Sequence, residues 1–140
     1  MIILDTNVIS AMMELDDHPS VVTWLDLQEI EELFTTAVNV HELWFGLDKM
    51  ARGRRRTALA KGLEDVLELL ADRILHLDAA GATVSGRLQA QREIKGRPIA
   101  LGDCLMAGIA LSRGAQFATR NVRHFIDLGL DIINPWEAGD

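Results

Sequence analysis

Hydrophobic and polar positions along the chain follow two alternating periods. Short, largely apolar runs have the length and make-up of strands buried on both faces: Ile2-Ile3-Leu4, Leu33 to Val38, Ile74-Leu75-His76-Leu77, Gln116-Phe117-Ala118-Thr119 and Asp131-Ile132-Ile133. Between them, apolar residues recur at helical spacing. Pro19 to Asp26 carries Val22, Trp24 and Leu25 on one side, with Pro19 suited to a first turn. Val40 to Met50 repeats Val40, Leu43, Trp44 and Leu47, and a further stripe runs through Leu59, Leu63, Val66, Leu67 and Leu70. Asp78 to Ile94 is more polar, with Val84, Leu88 and Gln91 in register. Leu105 to Leu111 is apolar nearly all round and ends at Gly114, a natural helix cap, so it is expected to be buried. Strands alternating with helices predict an α/β fold, in which a central parallel sheet of about five strands lies between two helical layers. The length of 140 residues fits one domain spanning 1–140.

Composition narrows the class. At 49% hydrophobic and 25% charged, the chain resembles ordinary globular proteins and is large enough to fold without a metal or disulfide. Cys104 is the single cysteine, which excludes an intrachain disulfide and fits a reducing compartment. The opening Met1-Ile2-Ile3-Leu4-Asp5 has no basic stretch before its apolar run, unlike a signal peptide, and no uncharged stretch approaches the ~20 residues that span a bilayer. A cytoplasmic location is therefore expected, with no membrane contact. The net charge of −7 opposes nonspecific binding of a polyphosphate. Positive charge is concentrated, however, at Lys49, Arg52, Arg54, Arg55, Arg56 and Lys61.

The acids at predicted strand ends carry the chemistry. Asp5 follows the first strand, Glu42 follows the second, and Asp103 opens the buried helix after Ala100-Leu101-Gly102. Each also has a purely structural explanation. Asp5 suits a helix N-cap, Asn39 and Glu42 have capping-box spacing, and Asp103 suits a helix N-terminus. Jointly, all three belong at the carboxyl edge of one small sheet, where open α/β folds place their sites. Carboxylates gathered there repel unless a cation lies among them, and magnesium suits a few carboxylates plus water. Such a site can activate water for attack on a phosphodiester. Asn121 ends the fourth strand at the same edge, beside Thr6 and Asn7 after the first. Each of these three either supports the ligands or shapes its own turn.

These same residues resemble the PIN-domain family, and within it the VapC and FitB-type toxins. The resemblance rests on Ile3-Leu4-Asp5-Thr6-Asn7-Val8, Asn39-Val40-His41-Glu42-Leu43, Gly102-Asp103, Thr119-Arg120-Asn121-Val122-Arg123-His124-Phe125 and Ile133-Asn134-Pro135-Trp136. It covers essentially the whole chain. It implies an endoribonuclease requiring Mg2+ or Mn2+, with Asp5, Glu42 and Asp103 matching the acidic metal-binding triad. Asn121 stands where many members carry a fourth acid, which weakens the case for a second metal. Thr6 falls beside the triad. The resemblance further implies a homodimer, neutralised by a small VapB-like antitoxin whose tail fills the catalytic groove and whose other end binds operator DNA.

RNA contact has four candidate residues, Arg54 and Arg55 in the basic segment and Arg120 and Arg123 nearer the acids, because phosphate contacts come mainly from Arg and Lys. The bland alternative for the basic segment is a solvated helix start. The histidines lack zinc spacing, since Phe45 stands where a second histidine of H-E-x-x-H would fall, and Gly81 to Gly86 lacks a phosphate-loop lysine. Cys104 reads as a core residue, and Trp24, Trp44, Met12 and Met13 as core or dimer contacts. A phosphatase with Asp5 as nucleophile is disfavoured, because Asn7 replaces the second aspartate. The remaining rival is a catalytically weak PIN-like domain that only binds protein or RNA.

Overall fold

A computed structural model of the chain describes residues 1–137. Strands β1 (Ile2–Leu4), β2 (Leu33–Thr36), β3 (Ile74–Leu75), β4 (Gln116–Ala118) and β5 (Asp131–Ile133) form one sheet in the order β3-β2-β1-β4-β5. Every pairing is parallel, with Ile2 beside Leu33 and Leu4 beside Ala118. Parallel neighbours need long crossovers, and these are supplied by α1 (Thr6–Met12), α2 (Pro19–Asp26), α3 (Ala37–Lys49), α4 (Arg54–Leu69), α5 (Ala79–Ile94), α6 (Leu101–Arg113) and the short α7 (Val122–Phe125). Among the described residues, no helix is long and apolar enough to cross a membrane.

The inner strands β1, β2 and β4 are largely buried on both faces, and their period of two divides the core into halves. Ile2 and Leu4 join Val8, Ile9, Trp24, Leu43 and Leu63 on one side of the sheet. Ile3 and Phe117 join Met106, Ile109 and Phe125 on the other. The expected three layers follow. Trp44, Met12 and Met13 pack against the first half as core residues, and Cys104 is buried. Gly114 ends α6 in the left-handed conformation (φ 62°), as expected of a cap that needs no Cβ.

Several element boundaries and faces differ from the pattern-based expectation. The second strand stops at Thr36 rather than Val38, and α3 begins three residues before Val40. The reason is a capping box between Thr36 and Asn39: the Thr36 hydroxyl accepts from the Asn39 N–H, and the Asn39 amide oxygen accepts from the Thr36 N–H. α6 starts at Leu101, not Leu105, so Asp103 lies in its first turn. The third strand is only Ile74–Leu75, since it pairs with β2 alone and β2 ends at Thr36, leaving His76 and Leu77 exposed. α2 buries Val21 and Trp24 rather than Val22, and α5 buries Gly81 and Ser85 while Gln91 is exposed. The basic segment opens α4 at Arg54, a solvated helix start. Helix α1 had no apolar stripe long enough to announce it, yet its Val8, Ile9 and Ala11 are buried.

Candidate active site

Strands β1, β2 and β3 are laid outward in one direction and β4 and β5 in the other, so the strand order reverses between β1 and β4. A crevice opens beyond the carboxyl ends of strands at such a reversal. Asp5 leaves β1 into it, and Thr119-Arg120-Asn121 leaves β4 into it. Helix α3, following β2, and the N-terminus of α6 complete the walls. One cavity of about 540 Å³ is lined by Asp5, Thr6, Glu42, Asp103, Arg120 and Asn121, among others. The three acids, remote in sequence, therefore converge.

Asp5 is only 4% exposed and is held by four donors. Its Oδ1 accepts from the Thr6 N–H at 2.7 Å and from Asn39 Nδ2 at 3.4 Å. Its Oδ2 accepts from the Thr119 hydroxyl at 2.7 Å and from Asn7 Nδ2 at 3.3 Å. It thus caps α1 and belongs to the site; the two readings are compatible. Burial pushes its carboxyl above the usual range, hydrogen bonds from Thr119 and the Thr6 N–H oppose the rise, and the charges of Asp103 and Glu42 add to it.

Glu42 plays no part in capping, because Thr36 and Asn39 occupy those roles and Glu42 lies in the second turn of α3. Its Oε1 accepts from the Thr6 hydroxyl at 2.8 Å. Its Oε2 lies so close to Gly102 that a Cβ there would stand only 2.6 Å away. Glycine at 102 is what allows the carboxylate to lie against the start of α6. Asp103, on the next residue, pairs with His124 Nδ1 at 3.3 Å and is 20% exposed at its side chain. Burial raises its carboxyl above the ordinary range, His124 counters this, and the Glu42 charge raises it further. Asn121 takes the cap position of α7, but its side chain makes no capping bond. Its amide is left to the cavity.

The donor set suits a hard divalent cation: three carboxylates with neighbouring hydroxyl and amide oxygens, while the imidazole of His124 is engaged with Asp103 at the cavity wall. Burial is the main cause of the raised carboxyls of Asp5 and Asp103, and the charges of their acidic neighbours add a smaller part that a bound cation would offset. Among the described residues, however, no three His, Cys, Asp or Glu side chains stand close enough to form a ready-made cage. The acids share a cavity, and each is held by its own protein partner.

Several residues of this site were not singled out as functional from the sequence. Asn39, fully buried, was legible only as a helix cap. Its Nδ2 also reaches Asp5, the Thr6 hydroxyl at 3.1 Å and Met106 Sδ at 2.9 Å, linking the first turn of α3 to Asp5 and, through Thr6, to Glu42. Thr119, His124, His18 and Trp136 join through the fold alone, although Thr119, His124 and Trp136 lay within matched segments. Of the four arginines, only Arg120 lines the acid cavity. Arg123 lines an adjoining groove with Arg120 and Asn121. Arg55 reaches Glu14 at 3.2 Å, and Glu14 borders the acid cavity. Arg54 is exposed at the start of α4, outside that cavity.

A parallel sheet with acids gathered at its order reversal defines the class. The PIN domain family matches residues 2–129, and the chain belongs to it. Within that family it is 43% identical over 138 residues to the VapC ribonuclease Y4jK of Sinorhizobium fredii, covering 98% of this chain and 99% of that protein. It is 33% identical over 137 residues to toxin FitB of Neisseria gonorrhoeae, covering 97% and 99%. Among solved structures, FitAB bound to an IR36 DNA fragment superposes with a TM-score of 0.87 at 31% identity, covering 97% of this chain and 96% of that one.

Proposed function

We propose that this protein is a divalent-metal-dependent endoribonuclease, using Mg2+ or Mn2+, and the toxin of a VapBC-type toxin–antitoxin pair. The observation that carries the reading is the convergence of Asp5, Glu42 and Asp103 on one cavity at the sheet's order reversal, with Gly102 making room for Glu42. Similarity to a protein named a VapC ribonuclease over nearly the full length supports the activity. Asp5, Glu42 and Asp103 are the residues that hold the cation. When bound, the ion supplies positive charge that orients and activates a water and offsets the charge of the phosphodiester. The Thr6 hydroxyl orients Glu42 by donating to it, while Asn39, Asn7 and Thr119 fix the buried Asp5. Asn121 offers an amide to a water or to the substrate. Arg120 is the cation best placed for an RNA phosphate, with Arg55 and Arg123 at the margins and Arg54 farther out.

The partner is a small VapB-like antitoxin, and contact with operator DNA belongs to it; the likeness to FitAB bound to DNA supports this. A homodimer is the assembly we infer. An apolar cavity adjoining the acids carries Phe45 and Leu101, 58% and 59% exposed, a face suited to a second copy. The protein acts as a single domain in the cytoplasm.

Cleavage mapping on total RNA tests the reading. Wild-type protein with Mg2+ or Mn2+ is expected to cut, chelation to stop cutting, and Asp5→Asn to abolish it with the fold retained. Hydrolysis of a small phosphoester but not RNA would favour the phosphatase, although the four donors on Asp5 leave its oxygens poorly placed for attack. No turnover from an intact fold would make this a binding domain.

A further inference from the structure

Arg120 lines the same cavity as Asp5, Glu14, Glu42 and Asp103, yet among the described residues it forms an ion pair with none of them. An exposed guanidinium beside four carboxylates would ordinarily swing onto one. Here it is held elsewhere. Its Cζ lies 4.9 Å from the centroid of the Trp136 ring. The indole is itself oriented: Nε1 donates to His18 Nδ1 at 3.4 Å, and the two rings meet edge to face, with centroids 5.8 Å apart. The backbones on both sides are fixed as well. The Arg120 N–H donates to Asn7 Oδ1 at 3.1 Å, and the Trp136 N–H donates to Asn134 Oδ1 at 3.0 Å. Asn7 also donates to Asp5, so the arginine's backbone is tied to the acid site directly.

Stacking uses the face of a guanidinium and leaves its N–H donors at the rim. Those donors match two oxygens of a phosphate. A cation kept off the acids leaves them available to a metal and keeps its own donors available to substrate. We propose that Trp136 is a positioning residue, holding Arg120 as the seat for a phosphate of single-stranded RNA at the mouth of the acid cavity, with His18 setting the angle of the indole. The proposal rests on the ribonuclease reading for its substrate and extends it to a residue that touches none of the acids.

The test is binding and cleavage of a short single-stranded oligoribonucleotide at several KCl concentrations, with wild type, R120A, W136A, W136F and R120A/W136A. W136A is expected to raise KM about tenfold with kcat little changed, the scale of one charge-assisted hydrogen bond. The slope of log K against log salt should shrink by about 0.7, as for one lost phosphate contact on a single strand. R120A should do the same, and the double variant no more than either. W136F, which keeps a ring face but not the indole N–H, should recover part of the loss. A purely structural role for Trp136 would lower stability and kcat while leaving the salt slope unchanged. Wild-type KM and slope in W136A, or losses that multiply in the double variant, overturn the proposal. If W136A does not fold by circular dichroism, the comparison of W136F alone and combined with R120A decides it. Absence of metal-dependent cleavage by wild type overturns the nuclease reading instead, and oligonucleotide binding with its salt slope still decides the role of Trp136.

Discussion

Glu42 and Gly102 show how much of this site depends on single atoms. A glutamate on α3 reaches the start of α6 because residue 102 has no Cβ; one placed there would stand 2.6 Å from Glu42 Oε2. Gly102→Ala should therefore separate stability from activity. Alanine is favoured over glycine in a helix by about 0.5–1 kcal/mol, and the atom it meets is the far end of a flexible side chain, so thermal unfolding should show no loss. Displacing Glu42 by about an ångström should nevertheless cut RNA cleavage by about a hundredfold. Unchanged cleavage in that variant would mean that Glu42 does not act from this position. Asn39 makes the complementary point. Its backbone and side chain complete a capping box that local sequence can specify, while the same amide reaches Asp5 and Thr6, which no local pattern specifies.

At the scale of elements, the apolar runs marked all five strands, and the helical stripes marked the longer helices. Their ends were less legible. Thr36 does two jobs, ending β2 beside Leu75 and capping α3 through its hydrogen bonds with Asn39. Helix α1 is seven residues with a short apolar face, so its stability comes from packing against α2, α3 and α4 rather than from its own pattern. The α5–α6 pair depends on a close approach that period alone does not reveal. A Cβ on Gly108 would meet the Gly81 carbonyl at 2.6 Å and Ser85 Cβ at 2.7 Å. These are backbone and short side-chain atoms that cannot swing away. Gly108→Ala should destabilise the protein by about 1–3 kcal/mol, read as a lower denaturation midpoint. An unshifted midpoint would mean that the two helices separate at little cost.

For the molecule as a whole, charge and stability are linked through the acid cavity. Asp5 and Asp103 titrate above their ordinary range in the fold and return to it on unfolding. Between those two ranges the folded state holds more protons than the unfolded state, so their contribution to stability is present at low pH and lost as pH rises. Metal-free protein should accordingly lose more stability between mildly acidic and neutral pH than Asp103→Asn does. At neutral pH that variant should be as stable as wild type or more so, since the contact it forfeits with His124 is partly exposed and worth about 0–1 kcal/mol. Magnesium should raise the Tm of wild type more than that of the variant. A large loss of metal-free stability in Asp103→Asn would instead assign the carboxylate to anchoring the first turn of α6.

Read alone, the chain's letters established the alternation of strands and helices, the parallel three-layer class, the acids at strand ends and their likeness to PIN domains. All of these are carried by neighbours in the covalent sequence: a period of two or 3.6, a cap, a short motif. Folding settled the remainder. It joined Asn39, Thr119 and His124 to the acids, laid Trp136 against Arg120, left Arg54 outside the cavity, and set Glu42 against Gly102. Which distant side chains meet depends on the order β3-β2-β1-β4-β5 and on how closely the helices approach across it. Those are properties of packed surfaces, and no run of consecutive residues contains them.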